Sequence, residues 1–433
     1  MVDPTLAIVI VVVVSLGLLL LGAPIFIALL SGGAIGIFLI SGPKAIFMLN
    51  VKFFEPMWDF GWLAIPAYVW LGNIFFYSGL GAELYSCVNK WVGRLPGGLG
   101  IATTFSDALF GTISGSSMAA CATIGPISVP AMLKAGYSES VATGCNASAG
   151  GLASMIPPSI NMIVYANLAM VSLGHMFFAG FIPGFFLAGL FSIYLLMRGL
   201  LTPKSVPRGE RFSWRERFSA LASLIPVLIV FLFIFGSLYT GIATPIEAGV
   251  AGCLASLIIA LAYRRITLSR LLESLLRTGR VCSMLFMIMV GAYSLNYFLF
   301  ISGIQSSLRT IVLSWHVSPF LMVMGMMFIM MLLGMVLETS AMYMLTVPFF
   351  VPIITVLGID PILFGIIMIM AGEMAQITPP VGVNLFVLNA VTGVPVVRIA
   401  WGTLPYVGML WLMIITLYFI PQIALWLPDK MWM

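Results

Sequence analysis

Charge is scarce in this 433-residue chain, where 19 Lys and Arg and 14 Asp and Glu amount to 8% of the residues. A soluble domain carries roughly a quarter charged residues, so water is excluded as the solvent for most of this surface. Histidine is nearly missing. His175 and His316 stand without Cys or carboxylate companions at ligand spacing, which leaves no ligand set for a redox centre or a transition metal. The five cysteines (Cys87, Cys121, Cys145, Cys253 and Cys282) form no CxxC pair and read as small packing residues. The first apolar run, Leu6 to Leu21, has no basic stretch before it, Asp3 being the only charge there. It therefore reads as a retained helix rather than a secretory signal.

What the chain has in abundance is apolar length, 61% of its residues being hydrophobic. Runs able to cross about 30 Å of hydrocarbon recur from end to end, and they are continuous rather than alternating. The expected fold is an all-α polytopic membrane protein. Candidate crossings are 5–22, 24–41, 61–80, 138–171, 176–199, 218–239, 245–263, 281–302, 361–391 and 401–426. Segments 95–133 and 319–358 carry small or polar residues midway, with each arm short of a full span. They are expected to be re-entrant helical hairpins, entering and leaving on one face.

With both termini outside, this count puts fifteen of the 19 basic residues inside and only Lys44, Lys52, Arg309 and Lys430 outside. That is the positive-inside pattern. The basic excess is thus a topology signal, facing membrane lipid and not nucleic acid. Segment 264–280, with Leu and Ile at helical spacing between arginines, reads as an interfacial helix.

The two halves echo each other at an offset of about 222 residues. Pro24-Ile25 matches Pro245-Ile246, Ser117 matches Ser340, and Pro157-Pro158 matches Pro379-Pro380, each doublet being followed by an asparagine (Asn161, Asn384). The first half spans 1–200: scaffold helices in 1–80, hairpin 95–133 and broken helix 138–171. A polar linker, 201–217, follows. The second half, 218–433, has scaffold helices in 218–263, the interfacial helix, hairpin 319–358, broken helix 361–391 and a last helix 401–426. Five crossings plus a hairpin is an odd count. The second half is therefore expected upside down, an inverted-topology repeat with two discontinuous helices, as in many secondary transporters.

Each Pro-Pro doublet removes amide donors and leaves carbonyls without intrahelical partners. In lipid such carbonyls need a partner, and an alkali cation held by oxygen ligands is one. The first sodium site is expected from Ser114, Ser117, Asn146 and Gly150, the second from Thr339, Ser340, Gly372 and Thr378. Ser116, Pro157, Pro158, Asn161, Glu338, Pro379, Pro380 and Asn384 are candidates for solute binding or gating. Half-helix N-termini would favour an anionic solute. Glu338 and Glu373 are carboxylates within apolar segments, as groups in cation pathways often are. No group reads as catalytic, and sodium is the only metal expected. Every arginine maps to a loop or an interface, which argues against a stand-alone sodium–dicarboxylate symporter, the alternative reading.

The same residues carry a family resemblance. LAIPAYVWLGNIFFYSGL (63–80), VGRLPGGLG (92–100), SGSS (114–117), IPPSI (156–160), TPIEAG (244–249), ETSAMYMLTVPFFVP (338–352), GIDPILFG (358–365) and ITPPVGVNLFV (377–387) occur in order. The chain resembles, over essentially its whole length, the large membrane subunit of tripartite ATP-independent periplasmic (TRAP) transporters. The resemblance implies a bacterial inner-membrane elevator transporter coupled to sodium. It also implies a small helical membrane subunit and a periplasmic binding protein that delivers an organic acid. Glu338 departs from the family, where aspartate commonly precedes the hairpin tip.

Overall fold

Helix starts are marked locally along the chain. Asp3, Ser116, Ser159, Ser172, Ser213, Thr244, Thr267, Ser318, Glu338 and Asp360 each accept a backbone N–H from the first turn of the helix they precede. The computed structural model describes residues 3–304, 310, 314 and 317–431, which contain helices and turns and no strand. Arg309 and His316 lie outside the described residues, as do the side chains of Lys44 and Lys52.

Pro4–Leu20 and Ile25–Ser41 open the chain, followed by Ala45–Trp58, Ala64–Tyr77 and Leu80–Val92. Gly98–Ser114 and Ser117–Lys134 form the first hairpin, and Glu139–Gly150, Leu152–Met155 and Ile160–Ala169 form the first broken helix. Leu173–Leu201 ends the first half. Ile225–Tyr239 and Pro245–Ala262 precede Leu268–Ile301, and Pro319–Gly334 with Thr339–Val356 make the second hairpin. Pro361–Gln376 and Val383–Thr392 flank the second break, and Val396–Phe419 follows. Both Pro157-Pro158 and Pro379-Pro380 are cis.

Seven of the described helices are long and apolar enough to cross a membrane. Six of these fall in the ten expected crossings, and the seventh, Thr339–Val356, is an arm of the second hairpin, which corrects the expectation that each arm is short of a full span. The other four expected crossings do not qualify for a physical reason. The first two helices have 17 residues each, and the broken helices are divided into pieces too short to span. Exposed Leu6, Val13, Leu232 and Ile258 give the helices an apolar exterior suited to lipid.

Three further expectations are corrected. Segment 264–280 is no separate interfacial helix, because Leu268–Ile301 runs unbroken for 34 residues. Its buried stripe, Ser274, Thr278, Cys282, Leu285 and Met289, keeps helical spacing through the arginines. The linker ends earlier than expected, at a capping box in which Ser213 and Glu216 start the helix Trp214–Leu221. Helices Ala45–Trp58 and Leu80–Val92 were not among the expected elements.

Helix Leu268–Ile301 packs on Ile25–Ser41 and Ala64–Tyr77, which together with Pro245–Ala262 form one layer. The hairpins and broken helices pack on each other and on Leu173–Leu201 and Val396–Phe419. The two groups meet where Ala64–Tyr77 touches the first hairpin and Leu268–Ile301 touches the second.

Candidate solute site between the hairpin tips

The first hairpin turns at Gly115, with φ 59°, a left-handed conformation open to glycine without cost. A side chain there would also stand 2.7 Å from Pro158 O. The Gly115 carbonyl accepts the Ile160 N–H at 3.3 Å, tying the tip to the first break. Gly72 lets the backbone of Ala64–Tyr77 approach the same tip; a Cβ at Gly72 would lie 2.8 Å from Ser114 Cα. At the second hairpin Glu338 caps Thr339–Val356. Its Oε2 accepts Ser340 N–H at 2.9 Å and Ala341 N–H at 3.2 Å, and its Oε1 accepts the Ser340 hydroxyl at 3.1 Å. The helix dipole favours a carboxylate at that position.

Both tips open onto one cavity of about 330 Å³. Its polar walls include Ser114, Ser116, Ser117, Ser154 and Asn161 from the first half and Glu338, Thr339, Ser340 and Gln376 from the second. Asn73 and Arg277 face it from the opposing layer, where the Arg277 guanidinium lies 4.5 Å over the Phe76 ring. The lining thus holds hydroxyl and amide groups, one carboxylate and one guanidinium.

Beneath the cavity the halves interlock. Ser117 Oγ donates to Gln376 Oε1 at 3.0 Å. Glu373 Oε1 accepts from Asn161 Nδ2 at 3.2 Å and from Gln376 Nε2 at 3.0 Å. Glu373 Oε2 and Ser114 Oγ are buried with no hydrogen-bond partner, so oxygen acceptors remain for a cation. Among the described residues no three His, Cys, Asp or Glu side chains converge as a metal cluster. Such oxygen donors suit a hard alkali ion.

The structure therefore gathers Ser114, Ser116, Ser117, Asn161, Glu338, Thr339 and Ser340 around one cavity. Others fall elsewhere. Gly150 packs on Cys121 Sγ, and a Cβ there would sit 3.1 Å from Ser117 O, so it does face the first tip from behind. Gly372 packs on Tyr343 and Thr339 in the same manner. Asn146 does not line the cavity; its Nδ2 donates to Asp107 Oδ2 at 3.0 Å, and its Oδ1 is buried with no hydrogen-bond partner. Asn384 is buried, donating to Ala147 O at 3.2 Å, and does not line the cavity. Thr378 donates to Met374 O at 2.6 Å, and Thr403 donates to Ile377 O at 2.8 Å. Two carbonyls beside the second break thus each accept a threonine hydroxyl. Pro157, Pro158, Pro379 and Pro380 shape the breaks without lining the cavity.

Arg277, Asn73, Ser154 and Gln376 were not singled out from sequence. Gln376 had a signal, lying three residues after Glu373 and so on the same helix face. Arg277, expected in an interfacial segment, lies in helix Leu268–Ile301 and lines the cavity.

The family described as "Tripartite ATP-independent periplasmic transporter, DctM component" matches residues 11–423. The C4-dicarboxylate TRAP transporter large permease protein DctM of Pseudomonas aeruginosa is 35% identical over 400 residues, covering 92% of each chain. The ectoine TRAP transporter large permease protein TeaC of Halomonas elongata is 29% identical, covering 97% of this chain and 98% of that one. The sialic acid TRAP transporter large permease protein SiaM of Vibrio cholerae is 27% identical, covering 96% of each. Among solved structures, the YdaH transporter of Alcanivorax borkumensis superposes with a TM-score of 0.65 at 14% identity, covering 89% of each chain. MtrF of Neisseria gonorrhoeae gives 0.63 at 14% identity, covering 89% of this chain and 85% of that one. These two likenesses concern the fold alone. From its matched length and its relatives, this chain belongs to the DctM family of TRAP transporter large permease subunits.

Proposed function

We propose that this permease imports an organic acid by sodium symport, moving the cavity between the hairpin tips past a fixed layer of helices. The observation that carries the reading is the convergence of both hairpin tips, both broken helices and Arg277 on one cavity. The serine tips and buried oxygens suit sodium, and the guanidinium suits a carboxylate. The relatives' named solutes, C4-dicarboxylate, ectoine and sialic acid, all carry a carboxylate group, which supports the solute class.

The elevator reading draws support from helix Leu268–Ile301. It lines the hairpin-tip cavity at Arg277 and a second cleft at Tyr293 and Tyr297, with Asn167 and Pro348 across from it. Arg277 and Tyr293 are separated by about 24 Å of helix rise. A body carrying both hairpins could travel along this helix, opening first one cleft and then the other. The matched sequence motifs of the two halves fit an inverted repeat, which would supply two end states related by a pseudo-two-fold axis. In this reading both termini are periplasmic and the basic loops cytoplasmic. A small helical membrane subunit braces the layer formed by the first helices, and a periplasmic binding protein delivers the solute.

Arg277 is also the kind of residue a stand-alone symporter would use, so the need for a binding protein rests on the family. The coupling sites are tested by Ser117→Trp and Ser340→Trp in proteoliposomes. Each should abolish sodium-dependent uptake, with melting temperature as the control for folding. Normal uptake in both variants would remove the hairpin tips from the mechanism.

A further inference from the structure

The segment joining the two halves folds back on the end of helix Leu80–Val92. Gly209 N–H donates to Gly93 O at 2.9 Å, and the Trp91 indole N–H donates to Arg217 O at 3.2 Å. The Trp91 ring meets Phe218 edge-on at 5.6 Å and Trp214 at 6.3 Å. These contacts frame a cleft of about 370 Å³ lined by Trp91, Arg94, Leu95, Pro96, Arg208 and Arg217.

Three guanidinium groups line this cleft and no carboxylate does. Among the described residues none of the three forms an ion pair. The Arg217 guanidinium lies 4.9 Å over the Trp214 ring, and its Nε is buried without a hydrogen-bond partner. The adjacent acids do not relieve this: among the described residues Glu210 forms no ion pair, and it does not line the cleft. Glu216 Oε2 is engaged by the Ser213 N–H and hydroxyl, each at 2.7 Å, in its own helix cap. Converging like charges repel, and a bound anion would turn that repulsion into attraction.

The rim identifies the kind of anion. Trp214, Phe218 and Leu95 are 66%, 59% and 45% exposed beside the arginines. A dissolved phosphate gains nothing from an apolar rim, whereas a lipid places its phosphate and its first methylenes side by side. Aromatic rings next to arginines also match the composition of proteins at headgroup level. We propose that this cleft binds the phosphate of an anionic phospholipid, whose acyl chains lie along Trp214, Phe218 and Leu95. The lipid then clips the inter-half linker to helix Leu80–Val92, which packs against both arms of the first hairpin. The site is separate from the solute cavity and does not depend on which acid is carried.

The test is native mass spectrometry of the purified full-length chain, titrated with phosphatidylglycerol, with phosphatidylcholine, or with inorganic phosphate. Phosphatidylglycerol should be retained at least about tenfold better than phosphatidylcholine, as expected when several arginines contribute near a lipid surface. Arg94 and Arg208 are exposed, so Arg94→Gln with Arg208→Gln should fold normally and lose most of that preference. Arg264→Gln with Arg270→Gln removes the same charge elsewhere and should keep it. Equal phosphatidylglycerol retention in the first pair, or equal loss in both pairs, would overturn the site. Displacement of phosphatidylglycerol by millimolar inorganic phosphate would overturn the lipid as its occupant and leave a phosphate site.

Discussion

Replacing Arg277 by glutamine removes the single guanidinium lining the cavity between the hairpin tips. Two opposite charges about 4 Å apart attract by roughly 4 kcal/mol at an effective dielectric of about 20. Dehydrating the guanidinium and the solute carboxylate offsets much of this, and hydrogen bonds to charged groups contribute a net of about 1.5–3 kcal/mol. At about 1.4 kcal/mol per factor of ten, Arg277→Gln should raise the KM for the transported acid roughly 10- to 100-fold. Arg277→Lys keeps the charge but loses the planar fork and the stack on Phe76, so its KM should fall between wild type and the glutamine variant. The assay is the concentration dependence of sodium-driven uptake in proteoliposomes, with melting temperature as the control for folding. A wild-type KM in Arg277→Gln would refute the idea that the guanidinium meets the solute. So would equal loss in the lysine and glutamine variants, because a retained charge would then count for nothing.

Other outcomes follow from the packing around the cavity. Glu373→Ala should lower the melting temperature clearly more than Glu373→Gln, because it strands the Asn161 and Gln376 amides, each at about 1–3 kcal/mol; equal melting would show that these bonds carry little. A Cβ at Gly111 would run into the Ala153 backbone, so Gly111→Val should abolish folded protein on size-exclusion chromatography. Gly17→Ala, with nothing within 4 Å, should behave as wild type in the same measurement.

The breaks and hairpins were legible because their causes are local. A Pro-Pro doublet cannot continue a helix, and SGSS cannot be a lipid-facing span, whatever surrounds them. Direction and partnership were less legible. Asn146 lies close in sequence to the first break, yet its amide nitrogen is bonded to Asp107 on the hairpin arm. Ser117 meets Gln376 across 259 positions of chain, a contact that matching each hairpin to its own half does not reach. Arginines at 270, 277 and 280 interrupted the apolar run and made helix Leu268–Ile301 look like two pieces. Its buried stripe carried the continuity instead. Helix Ala45–Trp58 was not legible for a related reason, since Asn50, Lys52 and Glu55 break its hydropathy while its helical character persists.

Uptake into proteoliposomes holding this chain and its small membrane partner, with an inward sodium gradient and with or without the binding protein, tests the central claim most directly. The account predicts accumulation of the acid only when the gradient and the binding protein are both present. Uptake with sodium alone would make the chain a stand-alone symporter, and uptake indifferent to sodium would contradict the assignment of the hairpin tips.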